Sequence, residues 1–150
     1  MEKLRDYRKK RDFKATPEPE PQPGFSGEDA GRFVIQEHHA RRLHWDFRLE
    51  TEGVLKSWAL PKGPPQKKGE RRLAVQVEDH PLEYLDFAGE IPPGNYGAGE
   101  VKIWDRGLFS FLENSPDKIK IVLMGERLQG AFLLVRRGKE QQQWLMLKYM

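Results

Sequence analysis

From Arg32 onward the chain is a succession of short runs rich in Val, Ile, Phe, Leu and Trp, each ended by glycine or a polar turn, and nowhere does an apolar stripe of helical period persist. A chain patterned this way buries its apolar side chains by pairing strands into a sheet whose edges are closed off or covered. The fold class is therefore read as all-β, a barrel or a sandwich. Strands are expected near residues 32–37, 43–50, 54–60, 72–78, 99–105, 107–113, 118–124, 130–137 and 143–149. Gly53, Gly107, Gly130 and Gly138 stand where hairpin turns are needed. No internal repeat is evident.

The first 31 residues are patterned differently. Residues 2–12 suit a short basic helix, but TPEPEPQP at 16–23 places proline at every second position, which excludes helix and central strand alike and leaves a semi-rigid extended segment. The expected organisation is an N-terminal arm, extended or short-helical, over residues 1–31 and a single domain over residues 32–150. A chain of 150 residues is one domain by length, and folding at that size buries roughly 68–70% of the unfolded surface. The absence of Cys thus removes disulfides without endangering the core, and it fits a reducing compartment. No apolar run approaches the roughly 18 residues of a membrane span, and residues 1–13 are too charged for a signal sequence. A cytoplasmic protein with no membrane partner is expected.

A net charge of +3 conceals a strong segregation. Residues 1–15 carry seven basic and three acidic side chains, residues 56–72 six basic and one acidic, and residues 78–100 six acidic and no basic ones. Basic segments of this kind suit either solvent or a phosphate-bearing ligand. The stretch IPPGNYGAG at 91–99 lacks the Gly-Lys-Ser/Thr ending of a phosphate-cradling loop and is read first as a structural turn, with substrate approach as the lesser alternative.

The segment that carries chemistry is residues 38–50. Leu43, Trp45, Phe47 and Leu49 alternate with His44, Asp46, Arg48 and Glu50, the period of a strand with one face on a core. The other face displays imidazole, carboxylate and guanidinium at about 6.6–6.8 Å intervals. His38, on the preceding strand or its turn, offers a second imidazole, and two His with one Asp leave open positions on a divalent ion for water and substrate oxygens. His39 competes with His38 for that role, since neighbouring strand residues point apart. The fourth imidazole, His80, shares even-numbered parity with Arg72, Gln76 and Glu78 in the run 72–80. Arg41 and Arg42 are either solvated or placed against a nucleic-acid backbone.

Four ordered blocks, FVIQEHHARRLHWDFRL at 33–49, LKSWALPKG at 55–63, RLAVQVEDHPLEY at 72–84 and IPPGNYGAG at 91–99, closely resemble the 3′-phosphoesterase domain of DNA ligase D. YRKKRDF at 7–13 and TPEP at 16–19 resemble the arm of that family, so the likeness covers nearly the whole chain. The resemblance implies a compact β-barrel and a Mn²⁺-dependent enzyme that heals DNA 3′ ends. Members remove a 3′-terminal ribonucleoside to leave a 3′-phosphate, then hydrolyse that phosphate to a 3′-hydroxyl. Carried over by motif, His38, His44 and Asp46 are the metal ligands, and Arg48, His80 and Tyr84 meet the scissile phosphate. Gln36, Lys62, Arg72 and Glu78, with Arg11, Asp12 and Glu18 from the arm, match further positions that support activity. In this reading the arm lies over the barrel mouth, and His80 either protonates the departing sugar oxygen, provided its pKa stays near neutral, or only orients the phosphate.

Because it lacks ligase and polymerase segments, the chain resembles a free-standing version of the domain. A separate ligase, polymerase or Ku is then an expected partner beside the DNA itself, a primer-template ending in a ribonucleotide or a 3′-phosphate. A His₂Asp set also accepts Co²⁺ and Zn²⁺. Two other readings compete: an Fe(II)/2-oxoglutarate-type oxygenase built on a His-x-Asp…His triad, and a non-catalytic DNA-end-binding barrel that stacks bases on Trp45, Trp58 and Tyr96.

Overall fold

The computed structural model describes residues 4–19, 30–138 and 142–150. Its elements in chain order are α1 (Arg5–Lys9), β1 (Ala30–His39), β2 (Leu43–Thr51), β3 (Val54–Leu60), β4 (Arg71–His80), a 3-10 turn (Leu82–Asp86), β5 (Gly89–Ile91), β6 (Gly99–Ser115), β7 (Lys118–Gly125), β8 (Gln129–Arg136) and β9 (Gln143–Lys148). The sheet runs β1-β2-β3-β4-β9-β8-β7-β6, all neighbours antiparallel, and β6 pairs back onto β1. Eight strands thus close an all-β barrel with no free edge, while β5 adds a short ninth strand beside the first residues of β6. No helix among the described residues is long and apolar enough to cross a membrane.

Alternation decides which side chains fill the barrel. Phe33 and Ile35 of β1, Phe47 and Leu49 of β2, Trp58 and Leu60 of β3, Phe132 and Leu134 of β8, and Trp144 and Met146 of β9 point inward and form one continuous core. A second apolar cluster lies outside the wall, where Val34, Leu55 and Val101 are covered by Tyr7 of α1, by Tyr84 and Leu85 of the 3-10 turn, and by Phe87 and Ile91. Strands β1 to β3 are consequently buried on both faces. Their outward polar side chains lie under a roof instead of in bulk water, and that layer positions the site.

Two expected turns fall inside strands instead. Residues 99–115 form one strand where two joined by a turn at Gly107 are expected. Gly107 sits inside β6 because the strand passes so close to β7 that a Cβ there would collide with the Met124 carbonyl. Gly130 likewise falls within β8 and not in a turn. Among the described arm residues a short helix spans Arg5–Lys9, and Pro21 and Pro23 of the alternating segment lie outside the described residues, as does the whole of 20–29.

Candidate metal centre and phosphate site

Cross-strand register assembles the site. On the outer face His38 stands directly opposite His44, Gln36 opposite Asp46, and Val34 opposite Arg48. The hairpin between β1 and β2 therefore brings two imidazoles side by side, with their carboxylate one outward row further along. The possible ligand atoms of His38, His44 and Asp46 all lie within 4.8 Å of one another, a group that could hold a metal ion. His39 points the other way and pairs with Glu37 at 2.6 Å.

The remaining ring nitrogens settle how the two imidazoles face Asp46. His38 Nε2 lies 2.6 Å from the Gly97 carbonyl and His44 Nδ1 lies 3.0 Å from the Arg42 carbonyl, and a carbonyl only accepts, so both nitrogens carry protons and donate. In the neutral rings the lone pairs sit on His38 Nδ1 and His44 Nε2, which approach Asp46 Oδ2 at 3.3 and 3.2 Å. Two lone pairs and a carboxylate oxygen converging on one point repel one another unless a cation or proton lies between them. The donor set and its backing carbonyls fit a divalent metal, since ligating His commonly anchors its second nitrogen on a carbonyl. When the rings are protonated, His38 Nδ1 and His44 Nε2 donate to Asp46 instead; burial works to raise the Asp46 pKa, but the Arg48 charge and these hydrogen bonds outweigh it and hold the carboxyl well below the usual range. Burial tends to lower the His44 pKa; the Asp46 hydrogen bond and charge reverse that and leave it raised.

Arg48 is the buried cation of the site. Its Nε donates to Gln36 Oε1 at 2.7 Å, its Nη2 lies 3.6 Å from Asp46 Oδ2, and its Nη1 is buried with no hydrogen-bond partner. Gln36 in turn donates to the Tyr84 and Phe87 carbonyls at 2.9 and 3.0 Å, so it locks Arg48 to the segment that roofs the site. Gln36 is a positioning residue.

His80 reaches this face through an irregularity. Ser57 pairs with Val77 and Leu55 with His80, so β4 carries one residue more than β3 between those pairs. The parity expected over 72–80 breaks there: Ala74 faces the core and Gln76 accepts a hydrogen bond from Trp144 Nε1, whereas Val77 and His80 line the outer cleft. Arg72 stays on the core-facing side near the opposite end of β4 and pairs with Glu70 at 2.9 Å. Together with Lys62, which is exposed beyond β3, and Asp12, whose carboxylate accepts from the Lys14 backbone in an exposed turn, it stands apart from the cleft.

Arm residues complete one wall. Arg11 Nε donates to Glu18 Oε2 at 2.8 Å, Nη1 donates to Glu78 Oε2 at 3.1 Å, and Nη2 lies 3.3 Å from His80 Nε2. The Tyr84 hydroxyl donates to the same Glu18 oxygen at 2.8 Å, and burial foremost pushes its pKa well above the ordinary phenol value. The cleft so enclosed has a volume of ≈ 460 Å³ and lies on the outer wall, not at the barrel mouth. The loop read as a structural turn also enters it, through Tyr96 and the carbonyl of Gly97. The sequence contained only a hint of this in the glycine spacing, because a backbone carbonyl leaves no side-chain signature.

His80 differs from expectation in its charge. Burial first, then the charges of Arg48 and Arg11, hold its pKa well below the ordinary imidazole range, so it is neutral near pH 7, with Nδ1 donating to the Glu78 carbonyl at 2.9 Å. A proton that the folded state refuses and the unfolded chain accepts near pH 6.5 sets the sign. The stability from neutral His80 is complete above about pH 6.5 and is lost as pH falls below it. Denaturant unfolding at pH 7.5 and 5.5 is expected to show a smaller acid-induced loss in His80→Gln than in the parent; equal losses would contradict the assignment.

The outer wall of the closed antiparallel barrel thus gathers a His₂Asp group that could hold a metal ion beside a buried arginine with one free donor. A family model described as the DNA Ligase D 3′-phosphoesterase domain matches residues 36–136. The chain is 49% identical over 154 residues to the multifunctional non-homologous end joining protein LigD of Pseudomonas aeruginosa, covering 97% of this chain and 18% of that protein. It is 47% identical over 156 residues to the same-named protein of Mycolicibacterium smegmatis (96% and 20%). Identity to the multifunctional non-homologous end joining DNA repair protein LigD of Mycobacterium tuberculosis is 46% over 148 residues (96% and 19%). The chain belongs to the DNA ligase D 3′-phosphoesterase domain family. It spans about a fifth of the length of these relatives.

Proposed function

We propose that the chain is a Mn²⁺-dependent phosphoesterase that heals DNA 3′ ends in end joining, removing 3′-terminal ribonucleosides and then the 3′-phosphates they leave. The observation that carries this reading is the buried Arg48 Nη1, an unpaired cationic donor in the same cleft as His38, His44 and Asp46. Such a donor suits the non-bridging oxygens of a phosphoryl group, whose negative charge grows in the transition state. When bound to the three ligands, a divalent cation supplies Lewis-acid charge to a phosphoryl oxygen and lowers the pKa of water.

Hydrolysis joins a water oxygen to phosphorus and breaks the bond from phosphorus to the sugar oxygen. One proton leaves the water and one reaches the departing oxygen. Neutral His80 accepts a hydrogen bond from Arg11 at Nε2; a phosphate dianion that draws the Arg11 guanidinium onto its own oxygens frees that nitrogen, and His80 then takes the proton released by the attacking water and gives it to the departing sugar oxygen. Tyr84 and Glu18 hold Arg11 against His80, and the arm finishes the site in this way. Asp12, Lys62 and Arg72 act at a distance from the cleft if they serve activity at all. The enzyme works in the cytoplasm on nucleoid DNA, with a ligase, polymerase or Ku as partners.

The stacking alternative loses support because Trp58 is wholly buried, and the oxygenase alternative because the family model that matches the chain is a phosphoesterase. The test is incubation with Mn²⁺ and a primer-template ending in one ribonucleotide. A 3′-phosphate product that converts to 3′-hydroxyl is expected, and an unchanged primer rejects the reading.

A further inference from the structure

The cleft does not end at the triad. At His44 it adjoins a second hollow lined by Ala40, Arg41, Arg42 and the same His44. The two concavities share His44 and Arg42. Both arginines are exposed, and neither makes an ion pair among the described residues. The acids nearest in register are committed elsewhere, Glu37 to His39 at 2.6 Å and Glu100 to Lys102 at 3.6 Å. The hollow is therefore cationic and unneutralised.

Its walls are also held in place. Gly99, at φ 137°, lies so close to this hairpin that a Cβ would run into the His39 carbonyl, and a Cβ on Gly97, at φ 76°, would press on the His38 ring. The glycine loop thus clamps the β1–β2 hairpin from one side while the sheet holds it from the other. A pair of guanidinium groups on a clamped hairpin is a preorganised phosphate contact, which binds without first ordering a mobile loop.

We infer that this hollow holds a phosphodiester of the DNA strand next to the terminal phosphate, with Arg41 and Arg42 as its backbone contacts. The inference rests on the phosphoesterase reading for what occupies the cleft, but its own content is electrostatic. Contacts to phosphate position a strand without reading its sequence, and each neutralised phosphate releases counterions. The hollow is what makes a polynucleotide end a better ligand than an isolated phosphomonoester.

The test measures binding of a primer-template ending in 3′-hydroxyl, which the reaction cannot consume, across a salt series. For Arg41→Gln the slope of log affinity against log salt is expected to fall by about 0.7 to 0.9, and by about twice that when Arg42→Gln is added. Alongside, Arg41→Gln is expected to release phosphate from a nucleoside 3′-monophosphate at the parent rate, since that ligand has no second phosphate. An unchanged salt slope overturns the inference, and so does an equal loss on the mononucleotide, which would mean that Arg41 acts through the triad. A fallen slope in a protein that hydrolyses neither substrate sustains the hollow and instead rejects the phosphoesterase reading.

Discussion

Asp46→Asn is expected to lower kcat/KM on a 3′-phosphate-ended primer-template by on the order of 10³-fold, with the barrel still folded by circular dichroism. Removing a partner that merely orients a metal ligand costs roughly 10- to 100-fold, and in the proposed site Asp46 is the charged ligand itself. Its carboxylate is also the counter-charge facing Arg48 Nη2 at 3.6 Å. Asparagine keeps the shape and one oxygen but donates where the imidazole lone pairs of His38 and His44 converge. Thermal unfolding of the variant is the necessary control, because Arg48 loses its buried counter-ion. Activity within tenfold of the parent would mean that the three groups do not act together.

The alternation over 43–50 made this carboxylate, its arginine and one imidazole legible as a face, because strand period alone dictates which side chains project together. Strand pairing placed His38 opposite His44 and turned His39 away, a choice that the residue pattern alone had left open. Two features were beyond the reach of pattern. The depth of the polar face comes from a second layer built by Tyr7, Tyr84, Phe87 and Ile91, residues far apart in sequence whose docking leaves no periodic trace. The position of His80 depends on one extra residue in β4, and parity counted along the chain then assigns Arg72 and Gln76 to the wrong face. The expected turn at Gly107 failed for a similar reason: a glycine that relieves a collision between strands looks the same in sequence as one that turns the chain.

The second large effect is expected from Arg11→Gln. Side chains of Arg11, Glu18 and Glu78 are only 5%, 1% and 3% exposed, so the variant leaves two carboxylates buried with much of their compensation gone. Breaking such an arrangement typically destabilises by about 3–5 kcal/mol. Lys10, at 3.3 Å from Glu78, keeps part of the compensation and places the expected loss near the lower end, about 3 kcal/mol. Adding Glu18→Gln removes one of the stranded charges and is expected to recover stability measured by denaturant unfolding. Activity should not return with it, because His80 still lacks the guanidinium that holds its Nε2. Recovery of both would make the arm a structural cover and nothing more.

The most direct measurement is an anomalous-difference map from crystals soaked in Mn²⁺. A single peak bonded to His38 Nδ1, His44 Nε2 and Asp46 Oδ2 is the predicted result. A map with no peak there, or with the ion held instead by the arm carboxylates Glu18 and Glu78, would contradict it.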